Sequence, residues 1–162
     1  MEKEKVIEVL KEIALLLQLK GENPFKIRAY ENGARIIELL EEDLDTLVRE
    51  KRLGEIKGIG KALEQKIEEL VTTGNLAYYQ ELKSQFPDTL FELFKVPGLG
   101  PKKIQTLYKQ LEITSLGELE YACLENRLLT LPGFGEKTQQ NILNGISYLK
   151  RHQSQYLFSE AW

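Results

Sequence analysis

The sequence predicts an all-α protein built from tandem copies of one helical hairpin, in two small domains over 1–80 and 81–162. Two observations carry this. A pattern of apolar, any, Gly, apolar, Gly, with further apolar residues seven and eleven positions after the second glycine, occurs three times: Ile56/Gly58/Ile59/Gly60/Ile67/Val71, Val96/Gly98/Leu99/Gly100/Leu107/Leu111 and Leu131/Gly133/Phe134/Gly135/Ile142/Ile146. Elsewhere apolar residues recur at helical spacing between cap residues, and no alternating strand pattern appears.

In chain order, residues 2–20 read as a helix with Val6, Leu10, Ile13 and Leu17 on one face, Val9 and Leu16 beside them, and Gly21 as its stop. Asn23-Pro24 then supplies a cap and a first-turn proline for a helix to about Leu40. Its inner face is Ile27, Ala34 and Ile37, and Lys26, Arg28, Tyr30 and Arg35 ride on it. Asp43-Leu44-Asp45 has the spacing of a two-metal site, but it stands where a short helix to Glu50 should start, so these acids read as cap and first-turn residues. After the first hairpin, a helix runs from Lys61 to Gly74 and a linking helix from Leu76 to Gln85. Asp88 is expected to cap a leading helix over Thr89–Lys95, with Phe91 and Phe94 in the core. Thr114-Ser115 caps a helix over Leu116–Leu124, and the last helix runs from Glu136 to about His152. The apolar tail Tyr156–Trp162 reads as a segment that packs on something further along a longer chain.

Each repeated unit reads as a tight turn that opens a helix. Its two glycines are expected to take backbone angles closed to other residues and to let another backbone come close, while Ile59, Leu99 or Phe134 pins the turn to the core. Unpaired N–H groups at the helix start, with the positive end of the helix dipole, make an anion site. Lys61, Lys102 with Lys103, and Lys137 stand there, so phosphate is the natural ligand. One Gly-x-Gly is weak evidence, because ordinary helix-helix turns use it too. Three copies, 40 positions apart from Gly58 to Gly98 and 35 from Gly98 to Gly133, each with lysine at the helix start, exceed what a structural turn requires.

Composition narrows the function further. The single cysteine, Cys123, excludes an internal disulfide and a cysteine-rich zinc site, and fits a reducing cytoplasm; one histidine, His152, argues against metal catalysis. The apolar run Ile13–Leu19 is too short to span a bilayer. A net charge of −3 opposes nucleic-acid binding, but the charge is segregated. Lys95–Lys109 holds four lysines and no acid, whereas Glu38–Glu55 holds seven acids against three bases. Such a distribution suits a chain that presents one face to DNA.

The hairpins resemble the helix-hairpin-helix motif, which implies sequence-independent contact with the DNA backbone. The same resemblance implies a Na+ or K+ ion on the carbonyls of Ile56 and Ile59, and of Val96 and Leu99, and no other cofactor. Residues 22–156 as a whole resemble the start of a family X, polymerase-beta-like DNA polymerase, most closely its bacterial and archaeal branch. The residues that carry this are Phe25-Lys-Ile-Arg-Ala-Tyr30, Ile56–Ile67, Val96-Pro-Gly-Leu-Gly-Pro-Lys-Lys103 and Leu131-Pro-Gly-Phe-Gly-Glu-Lys-Thr138. In that family the first motif lies in a small domain that grips the 5′-phosphate side of a DNA gap, and the second in a fingers region on the primer side. The partner implied is gapped or nicked duplex.

A palm with three catalytic aspartates is expected to follow, and the chain holds only Asp43, Asp45 and Asp88, so no polymerisation is expected of it alone. By the same resemblance Lys26 and Tyr30 bind the 5′-phosphate, and Lys66 falls on the lysine that removes a 5′-deoxyribose phosphate through a Schiff base. Taking about 100° per residue, Lys66 lies roughly 60° from Leu63, at the edge of the apolar face, where a partly desolvated amine would suit imine formation. Two positions depart from the family, Ala62 and Tyr78, where lysines are expected. Three functions compete: a module positioning DNA for a polymerase, a lyase, and a free-standing scaffold on branched DNA or a protein partner.

Overall fold

The computed structural model describes residues 2–160, with side chains through His152, so the side chains of the tail Tyr156–Trp162 lie outside the described residues. The described residues are helical with no strand, in two compact units, Met1–Gln85 and Phe86–Trp162. The first holds α1 (Lys3–Lys20), α2 (Pro24–Leu39), α3 (Leu44–Arg49), a 3-10 turn (Leu53–Glu55), α4 (Lys61–Thr73) and α5 (Ala77–Ser84). The second holds a 3-10 helix (Asp88–Lys95), α6 (Pro101–Leu111), α7 (Leu116–Leu124), a 3-10 turn (Arg127–Thr130) and α8 (Glu136–Glu160). The division therefore falls five residues beyond 80. The whole of α5 belongs to the first unit, where Leu76, Tyr79 and Leu82 are buried and the Tyr79 hydroxyl donates to Glu12 Oε2 at 2.7 Å.

In the first unit α1 is the central element. Its buried residues Val6, Leu10, Ile13, Leu16, Leu17 and Leu19 point in more than one direction, because α2, α4 and α5 all lie against it. Gly21 ends it in the left-handed region at φ +83°, with Glu22 N donating to Leu17 O across the end, a closure that glycine favours. Asn23 caps α2 as expected, its side chain accepting from Phe25 N at 2.8 Å. The inner face of α2 is Tyr30, Gly33, Ala34 and Ile37. Tyr30, expected to ride outside with Lys26, is instead only 6% exposed, because it stands one helical turn before Ala34 on the same stripe. Asp43 occupies the cap position of α3 without bonding its backbone; its carboxylate accepts from Thr46 Oγ1 instead.

The leading element of the second unit differs from the sequence expectation. It is a 3-10 helix, Asp88 is its first residue rather than its cap, and Phe91 and Phe94 are only half-buried. Three residues per turn bring Leu90, Leu93 and Val96 onto one buried face and leave the two phenylalanines, ring centroids 6.5 Å apart, beside it. Ser115 caps α7 through Glu118 N at 3.2 Å, as expected, and Glu118 reaches back to both Thr114 and Ser115.

Gly145 on α8 sits under the second hairpin. A Cβ there would stand 2.9 Å from both the Pro97 carbonyl oxygen and Val96 Cγ1. Gly145→Ala would gain about 1 kcal/mol of helix propensity. It must also push back a backbone carbonyl, a misfit of the kind that costs about 1–3 kcal/mol. We expect net destabilisation of about 1 kcal/mol in denaturant melts; a stabilised variant would show that α8 does not bear on the turn.

Candidate nucleic-acid interface

The three repeats fold alike. In each, the amide of the central apolar residue donates to the carbonyl three residues back: Ile59 to Ile56 at 3.1 Å, Leu99 to Val96 at 3.2 Å and Phe134 to Leu131 at 3.2 Å. The first glycine, third in that four-residue turn, is left-handed: Gly58 at φ +98°, Gly98 at +80° and Gly133 at +82°. This is a type II turn, whose second position favours the proline found at Pro97 and Pro132. Ile59, Leu99 and Phe134 are buried, as expected, and each pins its turn to its own unit.

The second glycines do not meet the expectation of unusual angles. Gly60 (φ −78°, ψ 170°) and Gly100 (φ −88°, ψ 171°) are in extended backbone that any residue adopts. A Cβ on Gly60, Gly100 or Gly135 would meet nothing within 4 Å. Among the described residues, therefore, no contact requires glycine there. Each of these glycines caps a helix, its carbonyl taking the amide four residues on, at Glu64, Ile104 and Gln139.

The helix starts provide the donors. The amides of Lys61 and Ala62, of Lys102 and Lys103, and of Glu136 and Lys137 have no backbone acceptor. Lys61, Lys102 and Lys137 are exposed, Lys103 is half-buried, and none of the four is in an ion pair among the described residues. The third start is the least suited to an anion, because Glu136 opens its helix. Behind it Gln139, 7% exposed, donates to Asn126 Oδ1 at 2.9 Å and leaves its Oε1 without a partner. On the other side of each turn, the carbonyls of Ile59 and Leu99 take no backbone amide, and those of Ile56 and Val96 take one each. Oxygen lone pairs thus remain at both turns.

A second constellation lies in the first unit. Lys26 from α2 and Lys66 from α4 place Nζ 5.7 and 4.8 Å from the centroid of the Tyr78 ring on α5. Tyr30 stacks on that ring, 6.2 Å away and within 7° of parallel. Burial, and then Tyr78, push the Tyr30 phenol well above its ordinary range, so it stays protonated at neutral pH. Lys26, Tyr30 and Lys66 are thus brought together, with Lys66 half-buried at the edge of the α4 face as its helical phase implied. Tyr78 was legible only as a departure from a family pattern, and its place as the shared contact was not. Gly33 was missed as well; a Cβ there would come 2.5 Å from Leu63 Cδ2, so this glycine lets α2 approach α4.

The two glycines of a hairpin are separable by experiment. Gly98 has open space around it, so Gly98→Ala should cost about 1–2 kcal/mol through its positive φ alone. Gly100→Ala should cost about 0.5 kcal/mol or less, the difference between two uncharged caps. Equal losses in urea melts would contradict the assignment of the left-handed residue.

Comparison with known proteins agrees with this geometry. Residues 1–76 match the helix-hairpin-helix domain family, and residues 90–147 match the SAM-like helix-hairpin-helix tandem. The chain is 36% identical over 146 residues to the DNA polymerase/3′-5′ exonuclease PolX of Bacillus subtilis, which covers 90% of this chain and 25% of that protein. A shorter match, 41% over 51 residues, is to the UvrABC system protein C of two Tropheryma whipplei strains, covering 32% of this chain and 8% of theirs. The chain thus spans about a quarter of the length of its polymerase relative. Helix-hairpin-helix domains thus match in both units, and the similarity to a family X DNA polymerase runs along nine-tenths of the chain.

Proposed function

We propose that the chain binds the DNA backbone without reading base sequence, and that it holds gapped or nicked duplex for a family X polymerase. The observation that carries this is the second glycine of each hairpin, open on its Cβ side and followed by unpaired amides and lysines. A phosphate oxygen approaching that edge meets N–H donors, the positive helix end and a mobile ammonium together. Such contacts are blind to the base pair, since they touch only phosphate and sugar. A Na+ or K+ ion on the carbonyls of Ile56 and Ile59, or Val96 and Leu99, fits the lone pairs left there and would offer phosphate a further positive charge. No helix among the described residues is long and apolar enough to cross a membrane. A cytoplasmic setting suits the single buried cysteine, whose thiol burial pushes up to about 11.

Within the first unit, Lys26, Lys66 and the neutral phenol of Tyr30 suit the 5′-phosphate at a gap. A terminal phosphate carries up to two negative charges and an internal phosphodiester one, so two converging lysines distinguish them. The position of Lys66 in that cluster favours a second reading, a 5′-deoxyribose-phosphate lyase. Its amine would add to the C1′ aldehyde of an abasic 5′ end, releasing water as the imine forms. Borohydride reduction tests this: no covalent adduct on an abasic 5′ end, or an adduct unchanged in Lys66→Ala, would remove it.

A fluorescence titration with gapped duplexes across a salt series checks the main proposal. Two or three hairpins meeting a few phosphates should give a slope of log K against log[salt] of roughly −3 to −5, and Lys102→Ala with Lys103→Ala should reduce it by about 1–2. A 5′-phosphate should bind several-fold tighter than a 5′-hydroxyl, by a modest margin, because Ala62 and Tyr78 stand where two more cations could have been. A flat salt response, or a strong preference for one base sequence, would contradict backbone binding.

A further inference from the structure

We propose that Tyr78 is the positioning residue of the 5′-end site, its ring rather than its hydroxyl holding Lys26 and Lys66 ready for one terminal phosphate. This rests on the reading above, that the cluster receives the 5′-phosphate of a gap. Tyr78 carries no positive charge, so it cannot pair with the phosphate as a lysine would. What it offers is an electron-rich ring face near both ammonium groups, at 5.7 and 4.8 Å, distances at which a cation is attracted to a ring.

The ring is itself firmly placed. Leu76, which precedes α5, and Tyr79 and Leu82 on it are buried, and the Tyr79 hydroxyl is bonded to Glu12 on α1, which fixes the helix. Tyr30, buried on α2, stacks in parallel and fixes the plane of the ring. Three helices thus converge on one aromatic side chain: α2 supplies Lys26 and Tyr30, α4 supplies Lys66, and α5 supplies Tyr78.

The consequence is preorganisation. A lysine side chain has four rotatable bonds, and two ammonium groups brought near each other repel unless something between them is attractive to both. The Tyr78 ring restricts the side chains and offsets the repulsion before the phosphate arrives. Less order is then lost on binding, and the gain falls on the dianion that can meet both cations.

The test compares the full chain with Tyr78→Phe and Tyr78→Leu on two single-nucleotide-gap duplexes, one with a 5′-phosphate and one with a 5′-hydroxyl. The readout is the ratio of the two affinities within each protein. Tyr78→Phe should keep the ratio within about twofold, and Tyr78→Leu should lower it by about fivefold through weaker 5′-phosphate binding, with 5′-hydroxyl binding unchanged. An undiminished ratio in Tyr78→Leu would overturn the proposal. So would an equal loss in Tyr78→Phe, which would assign the effect to the hydroxyl, or a parallel loss on both duplexes in Tyr78→Leu, which would make the ring a support of the fold. A wild-type ratio near one has a different meaning: the 5′-phosphate reading itself fails, and the role of Tyr78 with it.

Discussion

The left-handed glycine of each hairpin is the constraint on which the rest of the structure depends. With Gly58, Gly98 and Gly133 at positive φ, a four-residue turn closes and the next apolar residue points inward. The following helix then starts with no side chain capping its first amides. A residue with a Cβ resists that conformation by about 1–2 kcal/mol. At Gly58 it would also stand 2.5 Å from Ile36 Cδ1, so one position both permits the turn and lets α2 lie across it. Once the turn is set, exposure of the donors follows from helix geometry and needs no further residue.

The two units use this device differently. In the second, the hairpin rests on α8 at Gly145, and the local lysines of α6 give the charge. In the first, the hairpin shares its unit with the cluster proposed to receive a chain end, assembled because α2 and α5 both lie on α1 and carry Lys26 and Tyr78 toward Lys66. The third hairpin keeps the backbone geometry but opens its helix with Glu136, so its turn is conserved in shape while its charge is weakened. Geometry and electrostatics thus vary separately within one chain.

Much of the fold was legible because its determinants are local. Caps such as Asn23 and Ser115, the stop at Gly21 and the apolar frame of each repeat act within one or two helical turns. The helix bounds they imply agree with the structure to within a few residues for α1 to α7. The leading element of the second unit was not distinguishable as 3-10, since Leu90, Phe91, Leu93 and Phe94 fit a period of 3.0 or 3.6 equally well over eight residues. Tyr30 hid its burial for a related reason: a tyrosine beside lysine and arginine reads as surface until the stripe it shares with Ala34 meets α5. At the candidate site, the glycines and lysines of the hairpins were readable from repetition. Tyr78 was not, because its partners Lys26, Tyr30 and Lys66 come from distant positions that only the packing of three helices joins. Gly33 and Gly145 share that fate, since close approach of two elements leaves no local mark.

The central claim, that backbone amides at the helix starts receive DNA phosphates, is tested most directly by amide chemical shifts. An isotope-labelled chain would be titrated with two duplexes of unrelated sequence. The account predicts the largest shifts at the amides of Gly60 to Ala62 and of Lys102 and Lys103, the same for both duplexes, because phosphate positions are common to all sequences. Shifts confined to other faces, or a set that changes with base sequence, would contradict it.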